Sequence, residues 1–319
     1  MKKVIEGSWF EFQHANILEG PLHNPALAKF TADDWREKVR EAAVMGLDTL
    51  VLQQVASNGK AFYHTTLRDM FPMACDDPIE AVLSAADEYG INFFMPNDWW
   101  DVESDWSRDI MAPDTVKARM QSMAELTEKY AHHKSFYGWY YSNELYLKDG
   151  IPEAFQSYVG QCVARAKELT PGKPSLIAPY GTGVVVPNDE YIRQMERTGV
   201  DFIAYQDEIG CLRHTVDDLE RIWSGLRAAH DKLPQVKMWA DVEVFEFHGE
   251  VGFSPLYPAP FERCKRQIEL AGAYCDKILI YEFQGIMNPP DSKVFAGHKS
   301  SAQLYTDYMN WRDSVLKEK

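Results

Sequence analysis

Asp77-Pro78-Ile79-Glu80-Ala81-Val82-Leu83-Ser84-Ala85-Ala86-Asp87-Glu88-Tyr89-Gly90-Ile91-Asn92-Phe93-Phe94-Met95 reads as one complete helix-to-strand unit. Asp77 can accept from the free amides of a first helical turn, and Pro78 has no amide to lose there. Ile79, Val82, Leu83 and Ala86 recur at helical spacing and make one apolar face. Gly90 stops the helix, and the aromatic run Ile91 to Met95 follows at once as a strand.

The same grammar extends both ways along the chain. Upstream, Gly7 to Gln13 is a strand, and a helix opens at Thr31 with Asp34 three residues on, the pattern of a capping box. That helix carries Trp35, Val39, Ala42 and Ala43, stops at Gly46, and yields to the strand Thr49 to Gln53. Downstream come a helix from about Asp114 to Tyr130, a strand Phe136 to Ser142, and a helix from Pro152 to Leu169. Strand Ser175 to Ala178, helix Asp189 to Arg197 and strand Val200 to Tyr205 continue the series. A helix starting at Thr215 with Asp218, a strand Val236 to Val244, a helix Pro260 to Gly272, a strand Lys277 to Tyr281 and a helix Ser300 to Leu316 complete it.

Eight such units, with strands apolar on both faces, predict a single (β/α)₈ TIM barrel spanning residues 1–319. A doubly wound sheet would want a glycine-rich turn after the first strand, and Gln13-His14-Ala15-Asn16 supplies none. Helix-to-strand connections are tight, whereas the strand-to-helix connections Ala15–Phe30, Ala56–Asp76, Asn97–Pro113 and Glu246–Pro258 are long. In a barrel those loops build the C-terminal face, where the site is expected.

Composition narrows the chemistry. A net charge of −15 argues against a nucleic-acid partner, since phosphate backbones demand a basic footprint. No apolar stretch reaches the roughly 20 residues of a membrane span, and Met1 to Gly7 shows no signal-peptide core, so no membrane partner is expected. Five scattered cysteines without a CxxC pair predict free thiols in a reducing cytoplasm rather than a disulfide framework or zinc site. A secreted or periplasmic location would require a leader removed from the sequence. No cofactor and no metal are expected, and oligomeric state is not legible.

The fourth strand ends Gly138-Trp139-Tyr140-Tyr141-Ser142-Asn143-Glu144. On this Asn-Glu pair the chain resembles the clan A glycoside hydrolases. More narrowly it is similar to a family of barrels catalogued under a domain of unknown function and grouped with glycoside hydrolases. The features that carry this are the opening Gly-x-Trp strand, Asp34-Trp35-Arg36, Gly46-Leu47-Asp48-Thr49-Leu50 and Trp239-Ala240-Asp241-Val242-Glu243. The resemblance implies a glycosidase in which Glu144 is the general acid/base and Asn143 touches the hydroxyl beside the reacting carbon. It also implies a second carboxylate on the seventh strand and a Tyr205 that holds it.

Alternation places Trp239, Asp241 and Glu243 on one face, with Glu243 nearest the mouth, so Glu243 is the expected nucleophile and Glu246 the reserve. The surroundings of Glu243 depart from the clan's usual pattern, which leaves retention or inversion open. Asp207 and Glu282, at the ends of strands six and eight, are expected to accept sugar hydroxyls. Trp99, Trp100, Asn97 and Trp239 are expected to line the substrate. Two other functions compete: a divalent-metal sugar isomerase or epimerase, using Glu144, Asp207, Glu243 and Glu282, and a non-catalytic glycan-binding barrel.

Overall fold

The computed structural model describes residues 3–98 and 109–317. Eight parallel strands form a closed barrel: β1 (Gly7–Phe10), β2 (Thr49–Leu52), β3 (Asn92–Pro96), β4 (Phe136–Tyr140), β5 (Ser175–Ile177), β6 (Phe202–Gln206), β7 (Lys237–Glu243) and β8 (Lys277–Tyr281). Each strand neighbours the next in sequence, and β8 returns to β1, so the expected (β/α)₈ architecture is the observed one. Among the described residues, eight helices of ten or more residues surround it: α1 (Ala32–Met45), α2 (Pro78–Tyr89), α3 (Pro113–Tyr130), α4 (Glu153–Leu169), α5 (Asp189–Thr198), α6 (Leu219–His230), α7 (Phe261–Tyr274) and α8 (Ser301–Lys317). No described helix is long and apolar enough to cross a membrane. All five cysteines are free.

The local signals act as their chemistry requires. Thr31 and Asp34 close a reciprocal capping box on α1, and the Asp77 carboxylate accepts from the Glu80 amide at the start of α2. Gly46 and Gly90 take the left-handed conformation that ends α1 and α2 (φ 92° and 70°).

Strand alternation divides the core in two. Side chains facing outward meet the helices in the main core, including Phe10, Leu52, Trp139, Tyr205, Met238 and Val242. Those facing inward (Trp9, Val51, Phe94, Tyr140, Leu176, Ala204, Trp239 and Leu279) fill the lumen. The lower lumen is a plug of rings: Trp239 lies 4.3 Å from Phe202 and 5.8 Å from Phe94, centroid to centroid. Gly138 makes room for it, because a Cβ there would stand 2.7 Å from the Phe94 ring and 2.5 Å from the Pro174 carbonyl. These rings fill the lumen beneath the C-terminal mouth.

Candidate active site

Glu144 follows β4 and Glu243 ends β7, so both emerge at the mouth, three strands apart around the barrel. Glu144 keeps part of its surface open, whereas Glu243 is buried. Burial pushes Glu144 up to about 7. The Gln206 side chain and Gln53, whose Nε2 donates to it at 3.4 Å, oppose the rise, while the charges of Glu19 and Glu208 add to it. A carboxylic acid that keeps its proton near neutrality is what a proton donor needs.

Glu243 is held by its surroundings on three sides. Its Oε2 accepts from the Cys211 amide at 2.8 Å. Its own amide donates to Asp207 Oδ1 at 3.1 Å, and its carbonyl accepts from Arg263 and Gln267 of α7. Burial, then the charge of Asp207, raises Glu243 to about 8, with the Cys211 amide pulling the other way. Asp241 lies one inward position deeper, with no hydrogen bond to its Oδ1. Burial and the charges of Glu243, Asp207 and Glu144 drive it far above the carboxylate range. At neutral pH Asp241 and Glu243 therefore keep their protons, Asp241 the more firmly, while Asp207, raised only to about 6, is mostly ionised.

The structure relocates several residues that the sequence assigned to substrate. Tyr205 does not reach Glu243. Its hydroxyl lies 2.8 Å from that of Tyr191 and 2.9 Å from His230 Nε2, outside the barrel wall. Its chain neighbour Gln206 faces the mouth instead, because adjacent strand residues point to opposite faces. Asn97 is also turned outward, donating to Cys162 Sγ and accepting from the Tyr158 hydroxyl. Trp239 belongs to the ring plug, two inward positions below Glu243, too deep to meet a sugar. Asp207 is fully buried, with Oδ2 taken by Gln267 Nε2 at 2.6 Å, so it supports Glu243 rather than a substrate hydroxyl. Glu282 is likewise buried, against Glu11 and His23.

Asn143 is partly exposed and donates to Asp98 Oδ2 at 2.7 Å, an oxygen that also receives Arg119 Nε at 2.8 Å. Glu246 lies beyond β7 on a short hairpin and contacts His248 at 2.9 Å, so the strand itself ends on Glu243. Trp99 and Trp100, with Trp106, lie outside the described residues. Unforeseen members of the mouth are Gln53, Gln206, Glu19 and Cys211. The two glutamines stand at strand ends with inward parity, a signal the sequence contained; Glu19 and Cys211 come from loops and had none.

A family model described as "Domain of unknown function (DUF4434)" matches residues 5–294. No curated protein sequence matches the chain. Among solved structures, a "putative alpha-L-fucosidase" from Bacteroides thetaiotaomicron shares 19% identity with a TM-score of 0.75, covering 97% of this chain and 93% of that one. A GH113 beta-mannanase from Alicyclobacillus acidocaldarius shares 14% identity at TM-score 0.59, with 98% of each chain covered. A GH2 beta-galacturonidase from Eisenbergiella tayi shares 12% at TM-score 0.60; the match spans 97% of this chain but only 51% of that one. At such identities the likeness is one of fold.

Proposed function

The chain belongs to the DUF4434 family, and on that premise we propose that it hydrolyses O-glycosidic bonds of a carbohydrate substrate by a retaining mechanism. Glu144 acts as general acid/base and Glu243 as nucleophile. The observation that carries this reading is the placement of the two carboxyl groups at the lumen-facing ends of the fourth and seventh barrel strands. The glycosidase names of the structural neighbours support it.

In the first step Glu144 gives its proton to the leaving oxygen as the Glu243 carboxylate bonds to the anomeric carbon and the glycosidic bond breaks. In the second, Glu144 takes a proton from water, which attacks the same carbon and frees Glu243. The attack requires an ionised Glu243, and the Cys211 amide is the group placed to stabilise that form. Asp241 can keep the proton that the buried trio shares.

A second assignment has one observation in its favour: Glu243 is raised to about 8 and Glu144 to about 7, which suits Glu243 as donor and Glu144 as nucleophile. A panel of nitrophenyl fucosides, mannosides, galactosides and glucosides first identifies a substrate. Glu144→Ala and Glu243→Ala are then assayed with sodium azide. The first assignment expects a glycosyl azide of retained configuration from Glu144→Ala and of inverted configuration from Glu243→Ala; the exchanged assignment reverses these products. Turnover surviving at the wild-type level in both variants would sink the proposal.

A further inference from the structure

A second cluster of buried donors lies beside the mouth, at the seam where β8 closes on β1. Glu11 directly follows β1, Glu282 directly follows β8, and His23 comes from the loop after β1. All three side chains are buried, at 0–1% exposure. We propose that Glu11, His23 and Glu282 form a binding site for a divalent transition-metal ion, with Zn²⁺ as the reference ion.

The distances carry the inference. His23 Nε2 stands 3.5 Å from Glu11 Oε1 and 3.8 Å from Glu282 Oε1, and the three donor atoms lie within 4.8 Å of one another. Charge-assisted hydrogen bonds close to about 2.7–2.9 Å, so these contacts are too long for that role. Ligands placed about 2.0–2.2 Å from a shared tetrahedral ion stand roughly 3.3–3.6 Å apart, near the separations found.

The unused atoms point the same way. Glu11 Oε1, Glu282 Oε1 and both ring nitrogens of His23 are buried without a hydrogen-bond partner. The other oxygen of each carboxylate is already held: Tyr281 donates to Glu11 Oε2 at 3.2 Å, and Gln284 donates to Glu282 Oε2 at 2.5 Å. Each carboxylate thus has one anchored oxygen and one turned toward His23 Nε2, the arrangement in which outer partners orient metal ligands. The buried Lys38 ammonium bonds Glu41 and Asn288 rather than Glu282. Gly285 lies tight against the cluster, where a Cβ would come within 2.6 Å of Glu282 Oε1 and 3.1 Å of His23 Nδ1.

An imidazole nitrogen beside two carboxylate oxygens suits Zn²⁺ or Mn²⁺ better than the all-oxygen preference of Ca²⁺ and Mg²⁺. Three protein ligands leave a fourth position for water. The ion would clamp the loop after β1 across one of the thin seams of the barrel. There β1 and β8 pair at two positions, Gly7 with Leu279 and Ser8 with Ile280, whereas β7 and β8 pair at five. That loop also carries Glu19, whose charge acts on Glu144.

The test uses the full chain and needs no substrate, so its outcome is separate from that of the glycosidase reading. Chelator-treated protein is titrated with Zn²⁺ by calorimetry, with melting temperature and X-ray absorption as further readouts. One ion per chain, a raised Tm and a one-nitrogen, two-carboxylate shell are expected. His23→Gln and Glu282→Gln should each weaken binding on the order of 100-fold. The competing trio is Glu80 of α2 with His132 and His133 from the connection between α3 and β4, so His132→Gln should leave the affinity unchanged. Should Glu282→Gln fail to fold, His23→Gln alone decides. Absence of stoichiometric binding by natively folded protein, or binding that survives His23→Gln and disappears in His132→Gln, overturns the site.

Discussion

Two buried acidic clusters stand at the same end of this barrel and neutralise their charge in opposite ways. The first joins Asp207, Asp241 and Glu243 across β6 and β7. Arg263 acts on Asp207, but its guanidinium is committed to the carbonyls of Glu243 and Phe245. Burial raises all three, Asp207 to about 6, Glu243 to about 8 and Asp241 well above the carboxylate range, so the last two keep protons at neutral pH. In the second cluster, at the β1–β8 seam, burial and then the charge of Glu11 drive Glu282 well above the carboxylate range, whereas Glu11 has histidines around it. Burial pushes Glu11 up, yet His14, His23 and the Tyr281 hydroxyl together pull it below its ordinary value. A buried carboxylate without a committed cation keeps its proton; one that faces a histidine whose own value is raised, as Glu11 faces His14, stays ionised.

Replacing one carboxyl group in each cluster should therefore have opposite effects. Glu11→Gln removes the buried charge that faces His14 and is expected to destabilise the fold by about 3–5 kcal/mol at neutral pH. Because its folded pKa is lowered, the carboxylate of Glu11 contributes stability above the unfolded value, and that stability is lost as pH falls through the folded one. Urea denaturation measures this, and a neutral result would erase the contrast between the clusters.

Asp241→Asn should act the other way. The folded pKa of Asp241 is raised, so its contribution is complete below the unfolded value and declines as pH rises toward the folded one. Above the ordinary carboxylate range the wild type is expected to lose about 1.4 kcal/mol per pH unit from this proton, and the asparagine variant should lack that slope. Melting curves from pH 5 to 8 give the comparison; parallel curves would show that Asp241 is ionised in the native protein.

Activity should follow the paired values of Glu144 and Glu243. In the proposed mechanism one group is protonated and the other ionised, so kcat/KM is expected to peak between about 7 and about 8 and fall on both sides. Removing the amide of Gln206, which lowers Glu144, should shift that profile to higher pH. An optimum near pH 5 would place the protons elsewhere.

The smallest effect is expected at Tyr205→Phe. The change breaks a buried hydrogen-bond chain with Tyr191 and His230, costing about 1 kcal/mol of stability, and should leave kcat/KM unaltered. A large loss of activity at unchanged stability would return Tyr205 to the site.

Parity and depth account for what the sequence revealed about these regions. Along β7, inward parity for Trp239, Asp241 and Glu243 was legible because alternate strand residues share a face. The same rule applied to β6 separates Tyr205 from the mouth and puts Gln206 there. Trp239 shares the face of Glu243 but not its depth, and depth depends on how the strands are staggered around the barrel. Asn97 and Glu282 stand at strand ends as expected, yet their side chains turn into buried networks supplied by α4 and by the loop after β1.

The sequence by itself determined the eight strand-helix units, their caps and stops, the loop asymmetry and the pair of strands that carry Glu144 and Glu243. These follow from local spacing and hydrogen-bonding chemistry within a few residues. The tertiary structure alone decided which acids share protons and which meet histidines, because burial and charge act between residues far apart in the chain. Glu11 and Glu282 are separated by nearly the whole sequence, and only closure of the barrel brings them to one histidine.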